Sequence, residues 1–92
     1  MSADFIIAET ETFQKQLGKN PQYRRLYEKV STYVYPILRK NPFVGPNIKR
    51  LTGNLSEFYR FRIGDYRLFY SVDQRQVTVF IIRLDHRKEA YR

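Results

Sequence analysis

The spacing of apolar residues changes twice along the chain. Asp4-Phe5-Ile6-Ile7-Ala8 is a short apolar run and predicts a buried strand. From Tyr23 the spacing is helical: Tyr23, Leu26, Tyr27, Val30, Val34, Ile37 and Leu38 form one stripe, and Arg24, Arg25, Glu28 and Lys29 take the opposite side. From Phe58 the period falls to two, which predicts three strands over Phe58–Ile63, Tyr66–Val72 and Val77–Leu84. The pattern is that of an α+β domain with two N-terminal helices packed on a mostly antiparallel four-stranded sheet.

Local signals place the boundaries. Thr10 or Thr12 caps a first helix that runs through Gln14-Lys15-Gln16-Leu17 and stops at Gly18. Pro21 opens the second helix. Pro36 lies inside its stripe, lacks an N–H and crowds the preceding turn, so a kink or restart is expected near Thr32–Tyr35. Asn41–Ser56 holds Pro42, Gly45, Pro46 and Gly53 and reads as a long connecting loop. Gly64-Asp65 makes a two-residue hairpin turn, because glycine accepts positive φ at the first central position. That turn pairs Arg62 with Arg67, Phe61 with Leu68, Arg60 with Phe69 and Tyr59 with Tyr70. A second turn at Gln74-Arg75 pairs Val72 with Val77 and Phe69 with Phe80.

Composition narrows the class. Ninety-two residues make a single domain, 1–92, with one modest core. Eight Tyr and seven Phe supply large apolar bodies for it. There is no Cys and only one His, which argues against a disulfide framework or a zinc site, and no cofactor motif is present. No basic segment followed by an apolar run opens the chain, and no run approaches the ~20 apolar residues of a membrane span. A cytoplasmic protein without a membrane role is expected. The net charge is +8, and residues 39–92 carry most of it. Such asymmetry calls for a polyanion or an acidic protein partner.

The first hairpin gives that charge a shape. Its strand alternation puts Tyr59, Phe61, Ile63, Tyr66, Leu68 and Tyr70 on one face, against the helices. The other face holds Arg60, Arg62, Arg67 and Phe69. Like charges directly opposite on a sheet are destabilising, so an anion is the expected partner of Arg62 and Arg67. Guanidinium groups fork onto phosphate oxygens. Phe69 and Phe80 are candidate stacking surfaces for unpaired bases, an arrangement suited to single-stranded RNA. Lys49 and Arg50 in the loop are further candidate RNA contacts. His86 is the only imidazole, the side chain that ordinarily changes charge near neutrality. Arg87 and Tyr91 share a direction if the C-terminus is helical and diverge if it is extended.

Two helices, then Leu51-Thr52-Gly53, the segment YRFRIGDYRLFY over 59–70 and the ending His86-Arg87-Lys88-Glu89-Ala90-Tyr91 together closely resemble the RelE family, toxins of bacterial and archaeal toxin–antitoxin pairs. The resemblance spans nearly the whole chain. Most of its specificity lies in G-D-Y-R-L-F-Y and H-R-x-x-x-Y. It implies a microbial RNase-like fold and a metal-independent endoribonuclease that cuts mRNA in the ribosomal A site. The reaction implied is attack by a ribose 2′-OH on the adjacent phosphate. The implied partners are the ribosome, mRNA and a cognate antitoxin in a hetero-oligomeric complex.

By position, Arg60 and Arg62 fall where the family has strand lysines. Arg67 matches a phosphate-binding arginine, Arg87 an arginine near the leaving group, and Tyr91 a tyrosine that stacks on or orients the substrate. Arginine stays protonated, so Arg62 stabilises charge but is a poor base. Proton transfer then falls to His86 or to groups of the ribosomal RNA. Two other functions fit the same chain: a ParE-like toxin that inhibits DNA gyrase without cutting RNA, and a non-catalytic RNA-binding adaptor.

Overall fold

Thr10 turns the chain from strand to helix in the computed structural model, which describes residues 4–55 and 57–87, apart from the Leu55 side chain. Strand β1 is Ile6–Glu9 and helix α1 is Glu11–Lys19; the Thr10 hydroxyl accepts from the Phe13 N–H as N-cap. The helix does not stop at Gly18, which lies inside it. Asn20 ends α1 by donating its N–H to the Gln16 carbonyl, and its side chain accepts from the Gln22 N–H to cap α2, Pro21–Lys29. One residue therefore serves both helix ends.

The second helix is interrupted as Pro36 dictates. A π-helical turn, Val30–Val34, separates α2 from α3, Tyr35–Lys40. Within it the Tyr35 N–H reaches back five residues to the Val30 carbonyl. Proline lacks a donor for its own turn, and the extra residue accommodates the missing bond. The stripe survives the interruption: Tyr23, Val30, Val34 and Leu38 are buried.

The sheet has five strands in the order β1-β5-β4-β3-β2, not four. The additional strand is β2, Ile48–Arg50, within the segment expected to be loop. It pairs antiparallel with β3, Phe58–Ile63. Three residues are too few to show a period, and only the edge of β3 makes them a strand. Strand β4 is Tyr66–Asp73 and β5 is Thr78–His86; β1 pairs parallel with β5, so the sheet is mixed.

The first hairpin has the expected register, Arg62 against Arg67 and Phe61 against Leu68, with Gly64 at φ +57. The second does not. Val72 pairs with Val79 rather than Val77, and Phe69 pairs with Arg83 rather than Phe80. Two causes act together. The Asp73 carboxylate accepts from the Arg75 and Gln76 N–H groups, and Val77 takes φ 51, which makes a loop longer than two residues. A bulge opposite Phe69/Tyr70 then leaves Ile82 without a partner in the β4–β5 register. Helix α1 covers the disturbed edge. Thr10 donates its hydroxyl to the Ile81 carbonyl at 2.7 Å, and the Gln16 amide exchanges two hydrogen bonds with the Leu84 backbone.

One apolar cluster joins the layers: Phe13, Val30, Val34, Tyr35 and Leu38 from the helices meet Phe61, Leu68, Tyr70, Val79, Ile81 and Leu84 from the sheet. Tyr70 also donates its phenol to the Pro42 carbonyl at 2.7 Å, which anchors the connector below the sheet. No described helix is long and apolar enough to cross a membrane.

Candidate nucleic-acid interface

Alternation on four paired strands assembles a second surface, on the face turned away from the helices. One row across the sheet reads Lys49, Arg60, Phe69, Arg83, and the next reads Arg62, Arg67, Asp85. The residues expected to gather there do so in part. Arg60, Arg62, Arg67, Phe69 and Lys49 share the face. Arg50 does not: its register partner is Tyr59, on the helix side, and its guanidinium lies 5.9 Å from the Tyr59 ring centre. Phe80 is on the arginine face but opposite Ser71, not beside Phe69 as the shorter turn required.

The arginines are held differently from one another. Arg67 is nine-tenths buried, and its Nη1 donates to the Gly64 and Tyr66 carbonyls at 3.2 and 3.1 Å. It braces the hairpin turn and is itself fixed by it. Arg60 donates from Nη1 to the Asn47 carbonyl at 3.1 Å, and that carbonyl also accepts the Arg62 N–H. Arg62 is exposed. The Nε–H groups of Arg60 and Arg67 are buried and have no hydrogen-bond partner among the described residues. Buried charged donors left unmatched cost more than neutral ones.

Sequence reading missed two members of this surface. Asp85 is buried opposite Arg67 and forms an ion pair with Arg83, which stands opposite Phe69. Both follow from the bulge, which a strict period of two cannot anticipate.

The C-terminal residues divide. The register puts His86 opposite Tyr66, on the helix-side face, where its ring meets the Tyr66 ring edge-on at 5.3 Å. It therefore points away from Arg62 and Arg67. The Arg87 N–H donates to the Asp65 carbonyl at 2.7 Å, which ties the end of β5 to the tip of the first hairpin. Its side chain is exposed there. Tyr91 lies outside the described residues.

The helix-side face also holds a charge, but a matched one. Glu9 accepts from the Tyr27 and Tyr35 phenols at 2.6 and 2.7 Å. Its hydrogen bond, with burial and its negative charge, pushes the Tyr27 phenol from 10.0 up to about 12. Burial, followed by the Glu9 hydrogen bond, raises Tyr35 as well.

A mixed sheet backed by two N-terminal helices, with cations paired across its open face, defines a class: the small basic α+β toxins of type II toxin–antitoxin systems. The family model for the ParE toxin of type II toxin-antitoxin system, parDE, matches residues 7–91. The chain belongs to this family, within the RelE/ParE superfamily. It is 33% identical over 89 residues to Toxin RelG of Mycobacterium tuberculosis, a match that covers 96% of this chain and 97% of that protein. The fold is similar to the toxin–antitoxin complex RelBE2 of the same organism, with TM-score 0.77 and 29% identity over 97% of this chain and 98% of that one. It is also similar to the RelB–RelE antitoxin–toxin complex of Methanococcus jannaschii, with TM-score 0.64 and 26% identity over 91% and 94%. A YoeB/ParE toxin from Agrobacterium tumefaciens, 17% identical, shares the fold at TM-score 0.68 over 89% and 98%.

Proposed function

We propose that this toxin is a ribosome-dependent mRNA endoribonuclease that acts in the cytoplasm and inhibits translation by cutting mRNA in the A site. One observation carries the reading: Arg62 and Arg67 face each other across a hairpin with Arg60 alongside, and two of the three have buried Nε–H groups without a partner among the described residues. A phosphodiester is the ligand whose oxygens suit such donors.

The 2′-OH of one nucleotide attacks the adjacent phosphorus, and the bond to the 5′-oxygen of the next nucleotide breaks. The products are a 2′,3′-cyclic phosphate and a free 5′-OH; the 2′ proton leaves and the 5′-oxygen gains one. Arg62 and Arg67 stabilise the charge that grows on the phosphorane oxygens, in positions fixed before reaction. Arg87, whose backbone N–H is tied to Asp65 at the hairpin tip, is assigned the leaving group. None of these guanidinium groups gives up a proton. With His86 turned toward Tyr66, we assign the proton transfers to groups of the ribosomal RNA, with Tyr91 orienting the substrate.

The test is translation in vitro with mapping of mRNA 5′ ends. Wild type produces new ends in A-site codons, and Arg67→Ala and Arg87→Ala lose them. His86→Gln retains cleavage; if it abolishes cleavage, the proton assignment is wrong. A second reading has its own support, since the matching family model is that of ParE toxins: inhibition of DNA gyrase with no RNA cut. Unchanged mRNA ends together with DNA damage in expressing cells establish that alternative. The expected protein partner is a cognate antitoxin in a hetero-oligomeric complex, with an acidic amphipathic segment whose carboxylates meet the arginines. Its binding should weaken as salt rises.

A further inference from the structure

A cleft of about 320 Å³ opens beside the arginine face, where the helical stem leans over the edge of β3. Its size falls in the range of ligand sites. One wall is Lys29, the last residue of α2, and Tyr33 in the π-helical turn. The other is Arg62 and Gly64, beyond Phe61, where pairing with β2 ends. Asn47 joins the walls; its carbonyl accepts from both the Arg62 N–H and the Arg60 guanidinium, so this corner is braced.

Tyr33 is half exposed, although most large apolar side chains of the helical stem are covered. The Lys29 ammonium lies 6.0 Å from its ring centre. The ring owes its place to the π-helical turn, an irregularity that recurs at functional sites. Two cations and a ring thus line one space the size of a nucleotide.

We propose that this cleft is a nucleotide subsite of the RNA-binding surface: Tyr33 stacks on an unpaired base, and Lys29 and Arg62 hold the phosphates that flank it. The inference rests on RNA being the substrate and deepens that reading. Arg62 belongs to both places. A strand with its scissile phosphate between Arg62 and Arg67 passes its neighbouring nucleotide into the cleft. An acidic peptide would use the two cations but has no need of the ring, whereas every base has a face to stack.

The experiment uses the full chain and a short fluorescein-labelled 2′-O-methyl RNA, which cannot be cut because it has no free 2′-OH. Binding is followed by fluorescence anisotropy. Tyr33→Ala weakens it about ten- to a hundredfold, as for loss of one stacked base. Tyr33→Phe keeps the ring and binds as wild type. Lys29→Ala weakens binding and lowers the salt slope by about one. Because Tyr33 and Lys29 lie on the surface, all three variants unfold at the wild-type temperature. If Tyr33→Ala binds like wild type, or wild type itself binds no RNA, the subsite is wrong. The same holds if Tyr33→Ala and Lys29→Ala spare RNA but release a glutamate-rich peptide, since the cleft then serves an acidic protein segment. End mapping on ribosomes separates the two readings. RNA binding with no cleavage leaves the subsite standing and removes the RNase; cleavage with unaltered Tyr33→Ala binding does the reverse.

Discussion

The two faces of the sheet treat polar groups in opposite ways. On the helix side the Glu9 carboxylate accepts from two phenols, Tyr27 and Tyr35. On the other side Arg62 is set against Arg67, and two guanidinium Nε–H groups have no partner among the described residues. The first face is what folding alone selects: apolar bodies closely packed and every buried charge matched. The second departs from that rule in one place, with donors of one sign and one geometry. A local departure from self-consistency is where function is expected, because the stability it costs must be offset by a ligand or a partner.

Neighbouring residues on β4 give the strongest contrast. Leu68→Ala removes a fully buried side chain from the core, so unfolding in urea should reveal a loss of about 2–5 kcal/mol. Cleavage per folded molecule should stay near wild type. Arg67→Ala should lower cleavage on programmed ribosomes about 10²–10³-fold, far more than the loss of its turn-bracing hydrogen bonds lowers stability. Arg67→Lys recovers only part of that loss, since lysine lacks the planar fork. If both substitutions damage stability and activity equally, the division between the faces fails.

A smaller effect probes the matched carboxylate. The folded state raises the Tyr27 phenol from 10.0 to about 12. Within that window the unfolded chain has lost the proton and the folded chain keeps it. Stability is fully present below pH 10 and falls as pH climbs toward about 12. Urea unfolding across this range should show Tyr27→Phe with a shallower decline than wild type. A parallel decline would mean that the Glu9 contact does not couple to folding.

Smallest of all is the repulsion itself. Arg62→Gln removes one member of the like-charge pair and should raise stability by about 0.2–1 kcal/mol at low salt. The gain should shrink at high salt, while cleavage falls. A stability loss would show that Arg62 and Arg67 are not held against each other at a cost.

Much of this comparison was readable in advance, for a physical reason. The first hairpin is local: a period of two on both sides of Gly64-Asp65 leaves one register that buries Phe61, Leu68 and Tyr70 together. The arginine face follows from that register without any knowledge of the helices. Pro21 and Pro36 likewise act within one turn of their own positions, and both the helix start and the π-helical interruption lie where they dictate.

Tertiary structure decided the rest. Gly18 looked like a helix stop because glycine ends helices on average, yet α1 continues to Asn20, which closes one helix and caps the next. Strand β2 exists only because β3 offers it an edge. The second hairpin slipped by two residues because the Asp73 turn outweighs the shortest loop, and a bulge at Ile82, beside the Thr10 cap and Gln16 of α1, added one more. The bulge, by adding one residue, put Asp85 and Arg83 on the arginine face. His86, singled out because it is the only imidazole, went to the opposite face. So the sequence by itself determined the helical stripe, the first hairpin and the cluster of cations, all of which depend on spacing within one or two turns. Which strands lie at the edges, where Lys49 parts from Arg50, and how Tyr33 and Arg62 come to line one cleft depend on contacts between residues far apart in the chain. Local periodicity carries no record of those contacts.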